Sequence, residues 1–228
     1  MHVIQKTLKN KNENKTATRH IFLICTLAVF ALLVVLVDRF NDRGTLLYRF
    51  DKYILEFIRN NFSGGINDKI FASITVLGNA GIFWIAVSAV LIIKPETKKV
   101  GLSALLAIII GFILGNLLIK TSVERLRPYQ LDETIRLIIK APSEYSFPSG
   151  HTLCSFGCAT AIFINRKKLG AAMLVIASLI AFSRLYLYVH YPTDVVGGIL
   201  LGILTANLAD YIVNKSHKHT GPRLAGSN

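Results

Sequence analysis

The sequence predicts an all-α, polytopic membrane protein, with six transmembrane helices in one bundle and an interfacial amphipathic helix after the first span. Three observations predict it. Of 228 residues, 52% are hydrophobic and the mean hydropathy is +0.49, which is too apolar for an ordinary soluble domain. Several apolar runs reach the length of about 20 residues that a helix needs to cross hydrocarbon. The basic residues gather mainly between those runs rather than inside them.

The first span runs from about Ile21 to Val37, behind a basic segment carrying Lys6, Lys9, Lys11, Lys15 and Arg19. It has the charge pattern of a secretory signal, but it ends in Val35-Leu-Val-Asp38-Arg39 without a small-residue cleavage site, so an uncleaved anchor is expected. Leu46 to Ile58 places apolar residues at helical spacing among charges, and this segment is expected to lie in the headgroup layer. The second span, about Ile70 to Ile93, is interrupted by Gly78-Asn79-Ala80-Gly81. A tight turn from Lys94 to Lys99 leads into the third, about Val100 to Ile119.

The fourth, about Pro148 to Ile164, is short and carries Ser149, Thr152, Ser155 and Thr160, which suits a helix that faces other helices rather than lipid. The fifth runs from about Leu169 to Val189 and the sixth from about Asp194 to Val213. The chain thus divides into a basic N-terminal segment (1–20), one membrane domain (21–213) and a polar tail (214–228) expected to be disordered.

Charge sets the orientation. The N-terminus, the turn at Lys94–Lys99, the turn at Asn165–Lys168 and the tail hold more than half of the 26 Lys and Arg residues and fall on one side. By the positive-inside rule that side is cytoplasmic, with both termini. The formal charge of +13 then belongs to topology and anionic headgroups, and nucleic-acid binding is not expected. Cys25, Cys154 and Cys158 lie in apolar runs without metal-ligand spacing and read as packing residues. Tyr186, Tyr188 and Tyr191 read as an interfacial aromatic belt.

Three polar clusters remain, all at the external edge of spans, where charge is expensive and points to function. In the first, Lys120 and Arg127 are seven residues apart and would share a face of a continuous helix before Pro128 stops it. Arg offers planar bidentate contacts to phosphate oxygens and Lys a compact charge, although both side chains suit plain snorkelling to the interface as well. In the second, Pro148-Ser149-Gly150-His151 opens a helix whose unpaired N–H groups favour an anion, with Gly150 permitting close approach, Ser149 adding a hydroxyl and His151 placed to give a proton. An ordinary capped helix with an interfacial histidine fits the same four residues. In the third, Arg184 precedes His190, and Asp194 follows four positions on. Asp194 can take Nδ1–H and leave Nε2 free to attack, or simply be a helix N-terminal acid. Together the clusters supply three fixed cations for a phosphate and for the charge that develops during its transfer, with no acidic cluster nearby to suit Mg²⁺.

The order Lys120-x6-Arg127-Pro128, Pro148-Ser149-Gly150-His151 and Ser183-Arg184-x5-His190-x3-Asp194 closely resembles the three-part signature of the type 2 phosphatidic acid phosphatase superfamily, also called the lipid phosphatase and vanadium haloperoxidase superfamily. The resemblance spans Lys120 to Asp194 directly. It implies a helical bundle, and it implies that His190 forms a phosphohistidine with Asp194 orienting it. His151 would protonate the leaving group and then activate water, while Lys120, Arg127, Ser149, Gly150 and Arg184 hold the phosphate oxygens. Membrane members need no metal, so no cofactor is expected.

The expected activity is removal of a terminal phosphate from a lipid phosphate or diphosphate at the external face of a bacterial plasma membrane. Undecaprenyl diphosphate leads the candidates, ahead of phosphatidylglycerophosphate and phosphatidic acid. The expected partners are the lipid substrate and the bilayer, with no obligate protein partner. A vanadate-dependent haloperoxidase fits less well, because the peroxidases of that superfamily are soluble. A non-catalytic lipid-binding or transport protein would not require the acid–base set.

Overall fold

Helix α8 (Gly150–Asn165) runs through the middle of the bundle, and the helices at Lys98–Gly111, Lys167–Tyr186 and Pro192–His219 pack against it. This computed structural model describes residues 2–40, 42–132 and 134–219, with the side chains before Ala17, of Arg19 and after Ser216 outside the description. All regular structure among the described residues is helical. In chain order the elements are α1 (His2–Arg39), α2 (Leu46–Phe62), α3 (Gly65–Val76), a 3-10 turn (Asn79–Gly81) and α4 (Ile82–Ile93). After these come α5 (Lys98–Gly111), a π-helical segment (Phe112–Ile119), α6 (Lys120–Val123), α7 (Pro128–Leu131), α8, α9 (Lys167–Tyr186) and α10 (Pro192–His219).

Among the described residues, four helical stretches are long and apolar enough to cross a membrane: His20–Arg39, Lys98–Leu131, Lys167–Tyr186 and Pro192–Ser216. A fifth is present if α3 and α4, bent by 43° at the 3-10 turn, form one span. The expected fourth span, α8, falls short of the count of six. At 16 residues it is roughly 24 Å long, less than the ~30 Å hydrocarbon core. Its neighbours cover it: Thr152, Leu153, Ser155, Gly157, Cys158, Ala159, Ala161 and Ile162 are all buried.

The sequence explains how the helices come so close. The main core collects Ala104, Ala107, Cys158, Ala159, Ala161, Ala177, Ala206 and Ala209 around Trp84, Ile162 and Ile180. Small side chains let helix backbones approach, which is how apolar helices gain packing where lipid offers no hydrophobic drive. At the crossing of α8 and α10 a Cβ on Gly202 would stand 2.9 Å from the Gly157 nitrogen, so only glycine fits there. Outward-facing apolar side chains such as Ile24, Leu32, Ile109, Leu117 and Val175 are left exposed, as on helices surrounded by lipid. The polar tail read from 214 begins as a continuation of α10 to His219, and residues 220–228 lie outside the described residues.

Helix α2 starts at Thr45, whose hydroxyl accepts from the Tyr48 N–H at 3.3 Å. It presents three faces. Tyr48, Asp51, Leu55 and Ile58 are buried against the bundle, Leu46, Phe50, Tyr53 and Phe57 form an exposed apolar stripe, and Arg49, Lys52, Glu56 and Arg59 lie between them. Asp51 is an acid on the inward face, and it reaches the site.

Candidate active site

The cavity beside the N-terminus of α8 has a volume of about 660 Å³. Lys120, Arg127, Gly150, His151, Arg184 and His190 line it together, so six of the eight residues singled out in the sequence share one wall. Ser149 and Asp194 do not line it. Ser149 is fully buried, its Oγ accepting from the Thr152 hydroxyl at 3.0 Å, and its N–H donates to the Asp194 carbonyl at 3.1 Å. Asp194 sits behind His190.

The two cations of the first cluster do not meet along a continuous helix. Helix α6 stops at Val123, where Glu124 takes a left-handed φ of 48° and its N–H closes back on the Lys120 carbonyl at 3.1 Å. The chain then runs out to Arg127, extended before Pro128. This reversal brings Lys120 and Arg127 together in the cavity.

Among the described residues, three of the four cations that line the cavity are buried, Lys120 at 4% exposure, Arg127 at 3% and Arg184 at 2%, while the fourth, Lys140, is exposed. One carboxylate, Glu144, lines the cavity among the described residues, and it accepts from Lys120 Nζ at 2.6 Å. That hydrogen bond holds the Glu144 carboxyl below its ordinary value of 4.5. Arg127 is held by carbonyl oxygens, donating to Glu144 at 2.6 Å and Val189 at 2.8 Å. Arg184 donates to the Thr75 hydroxyl, and its Nε is buried without a partner. Buried cations with so little compensating charge make a site for an anion, because leaving charge unpaired in a dry pocket is costly.

The geometry assigns the tautomer of His190. Arg127 Nη1 lies 3.1 Å from Nε2 and can only donate, so Nε2 carries the lone pair and Nδ1 the proton. Nδ1 faces Asp194 Oδ2 and the Ser146 hydroxyl, both at 3.4 Å. Burial, with the Arg127 charge beside it, holds His190 well below the ordinary histidine value of 6.5. The ring therefore stays neutral. A left-handed turn at Tyr188, φ 58°, ends α9 and returns the chain so that His190 lies under the cavity.

Asp194 is fixed from several sides. It accepts from the Ser146 hydroxyl at 2.5 Å, the Tyr191 N–H at 2.8 Å and Arg125 Nη1 at 2.6 Å. Arg125 also donates to Asp51 Oδ2 at 2.7 Å and lies over the Tyr191 ring, 4.0 Å from its centroid. Asp51 further accepts from the Thr193 N–H at 3.0 Å and the Thr193 hydroxyl at 2.5 Å. Asp51, Arg125 and Asp194 are wholly buried. Tyr186, Tyr188 and Tyr191, read as an interfacial belt, are buried instead, at 4%, 6% and 1% exposure. Tyr48 and Leu55 of α2 pack on Tyr188 and Tyr191, which removes them from the interface.

Sequence reasoning missed Arg125, Asp51, Ser146 and Thr193 behind the cavity wall, and Thr75 and Asn79 on it. Two signals could have found the first two. Asp51 stands on the apolar face of an amphipathic helix, where a carboxylate needs a partner, and Arg125 is a second arginine two residues from Arg127. The others are ordinary polar residues whose neighbours only the fold supplies.

The family model that matches residues 100–218 is that of the PAP2 superfamily, and it takes in all three clusters. An undecaprenyl-diphosphatase of Sulfolobus acidocaldarius is 36% identical over 120 residues, covering 52% of this chain and 58% of that protein. The chain therefore spans little more than half the length of that relative. Among solved structures, a transmembrane PAP2 type phosphatidylglycerolphosphate phosphatase from Bacillus subtilis superposes with a TM-score of 0.67 at 24% identity, over 89% of this chain and 98% of that one. Aquifex aeolicus LpxE superposes with a TM-score of 0.61 at 29% identity, over 70% of this chain and 94% of that one. With matching sequence through every cluster and a shared fold over most of its length, the chain belongs to the PAP2 superfamily.

Proposed function

We propose that this chain is an integral membrane lipid phosphatase that hydrolyses the terminal phosphate of a lipid phosphate or diphosphate through a phosphohistidine. One observation carries the reading: three buried cations and a neutral His190 line one cavity, with Arg127 Nη1 3.1 Å from the Nε2 that keeps the lone pair. Lys120, Arg127 and Arg184 neutralise the phosphate and the charge that builds up on its equatorial oxygens, with Gly150 at the start of α8 adding a backbone N–H. Nε2 of His190 attacks phosphorus as the bond to the leaving oxygen breaks, and His151 gives that oxygen its proton. Asp194 stabilises the proton on Nδ1, while Ser149 braces the turn from behind. In the second half, His151 takes a proton from water, the new P–O bond forms, and the electron pair of the P–N bond returns to His190.

Undecaprenyl diphosphate is the leading substrate, supported by the similarity to an undecaprenyl-diphosphatase. Phosphatidylglycerophosphate is the alternative, supported by the likeness to a solved phosphatidylglycerolphosphate phosphatase. The chain is read as crossing the membrane six times, with α8 as a short covered span and α2 in the headgroup layer. On this reading the cavity opens on the external face and both termini are cytoplasmic. Reporter fusions after Lys99 and Lys168 should read cytoplasmic and one near Ser143 external; the reverse pattern refutes the orientation. The catalytic test is phosphate release by purified protein from undecaprenyl diphosphate, phosphatidylglycerophosphate and phosphatidic acid. His190→Ala should abolish release from every one, and retained turnover removes His190 as the nucleophile.

A further inference from the structure

The break in the second apolar run is built around His151. Between α3 and α4 the chain makes the turn Asn79–Gly81, with Ala80 and Gly81 at left-handed φ values of 49° and 67°. This places the Asn79 side chain against the imidazole, Oδ1 lying 3.0 Å from His151 Nε2. Gly78 seats the adjoining carbon edge of the ring: a Cβ there would stand 2.4 Å from His151 Cδ2 and 3.0 Å from Cγ. One turn earlier, Thr75 holds Arg184. Thr75, Gly78 and Asn79 all lie outside the stretch 100–218 that matches the family.

An amide oxygen accepts, so this contact keeps the proton on Nε2. The remaining nitrogen, Nδ1, is then the one available to the cavity that His151 lines. We propose that Asn79 is the positioning residue for the acid–base histidine, fixing its tautomer and ring plane so that Nδ1 handles the transferred proton. The proposal rests on the phosphatase reading given above. In the first half-reaction, His151 as imidazolium gives its Nδ1 proton to the leaving oxygen while His190 Nε2 bonds to phosphorus. In the second, neutral Nδ1 takes a proton from the attacking water as the P–N bond breaks. Nε2–H stays on Asn79 throughout, so the ring does not rotate between the two steps. A helical bend of 43° with a residue in the left-handed region is a strained arrangement, and here its outcome is an aligned imidazole.

The test separates alignment of an acid from support of the fold. Asn79→Ala and Asn79→Asp are compared with wild type on two substrates: a short-chain phosphatidic acid, whose alkoxide leaving group needs a proton, and p-nitrophenyl phosphate, whose leaving group does not. Asn79→Ala should lower kcat on the alkyl ester about 10- to 100-fold with KM within about twofold, a part of the ~10²- to 10⁴-fold that a general acid contributes, and should lower kcat on the aryl ester by less than about threefold. Asn79→Asp retains the acceptor and should recover most of the alkyl-ester rate. Equal losses on both esters, a loss carried in KM, or failure of Asn79→Asp to recover the rate would overturn the proposal, as would wild-type activity in Asn79→Ala. A wild-type protein that hydrolyses neither ester, nor any of the lipid diphosphates, overturns the phosphatase reading and this proposal together.

Discussion

Replacing Asp51 with Asn tests whether the inward face of α2 belongs to the active-site scaffold. The two side chains have nearly the same shape, so what changes is charge and hydrogen-bond polarity. Asp51 accepts from Arg125 Nη2, the Thr193 N–H and the Thr193 hydroxyl, all within 3.0 Å and all buried. An amide can accept on one atom only, and its NH₂ would then face a donor. Removing one partner from a buried ion pair costs ~3–5 kcal/mol. Arg125 keeps Asp194, and burial already pushes the Asp51 carboxyl above its ordinary 3.8 against the pull of Arg125. The lower end, about 3 kcal/mol, therefore applies.

For a chain of this length that is a fall of roughly 6–12 °C in Tm. The same change removes the Asp51 charge from Arg125, which keeps Asp194 and the Thr193 hydroxyl, and alters the surroundings of the carboxylate that faces His190, so kcat should fall with KM little changed. Thermal unfolding in detergent and phosphate release measure both. Glu56→Gln is the control: its partner Lys52 lies 3.5 Å away with side chains 41% and 50% exposed, and exposed pairs of this kind contribute roughly 0.5 kcal/mol. If Asp51→Asn melts within about 2 °C of Glu56→Gln (about 1 kcal/mol), the buried network does not hold α2 to the site and the reasoning is wrong.

Three further outcomes follow from the cavity. Glu144→Gln frees Lys120 from a competing carboxylate, so KM for a lipid phosphate should drop by about threefold or more, and an unchanged or raised KM would show that Glu144 does not compete with phosphate. Gly78→Ala must move the His151 ring by about 1 Å, and displacement on that scale lowers kcat by about 10²-fold; wild-type turnover would mean the ring is not held there. His190 titrates well below 6.5 in the folded chain, so below about pH 6.5 the unfolded chain binds the extra proton. Stability is then present above that pH and lost as pH falls. Tm should decline between about pH 7.5 and 5.5 in the wild type and decline less in His190→Gln, and parallel declines would exclude His190 as the group responsible.

Much of the candidate site is legible in the sequence because it is local. His190 and Asp194 lie four residues apart across the start of α10, and Gly150 and His151 open a helix, so short spacing already brings each pair close. Lys120 and Arg127 show where periodicity misleads: it predicts a shared helix face, whereas a left-handed Glu124 ends the helix and a chain reversal brings the two together. The tyrosines differ from expectation for another reason. An aromatic at the end of a span reads as interfacial until α2, more than a hundred residues away, is seen to cover it.

By itself, the sequence determined the helical class, the identity of most of the charged and basic groups that line the cavity, and the order in which they occur. These follow from composition, apolar run length and short-range spacing, which the chain carries wherever it is folded. Only the tertiary structure decided which residues hold those groups in place. Asp51 reaches Asp194 through Arg125, Thr75 meets Arg184, and Asn79 meets His151 across separations of 72 to 109 residues for the last two contacts. Such pairings leave no periodic trace in the sequence, because they arise where separate helices cross and a buried polar atom must find whichever partner the packing provides.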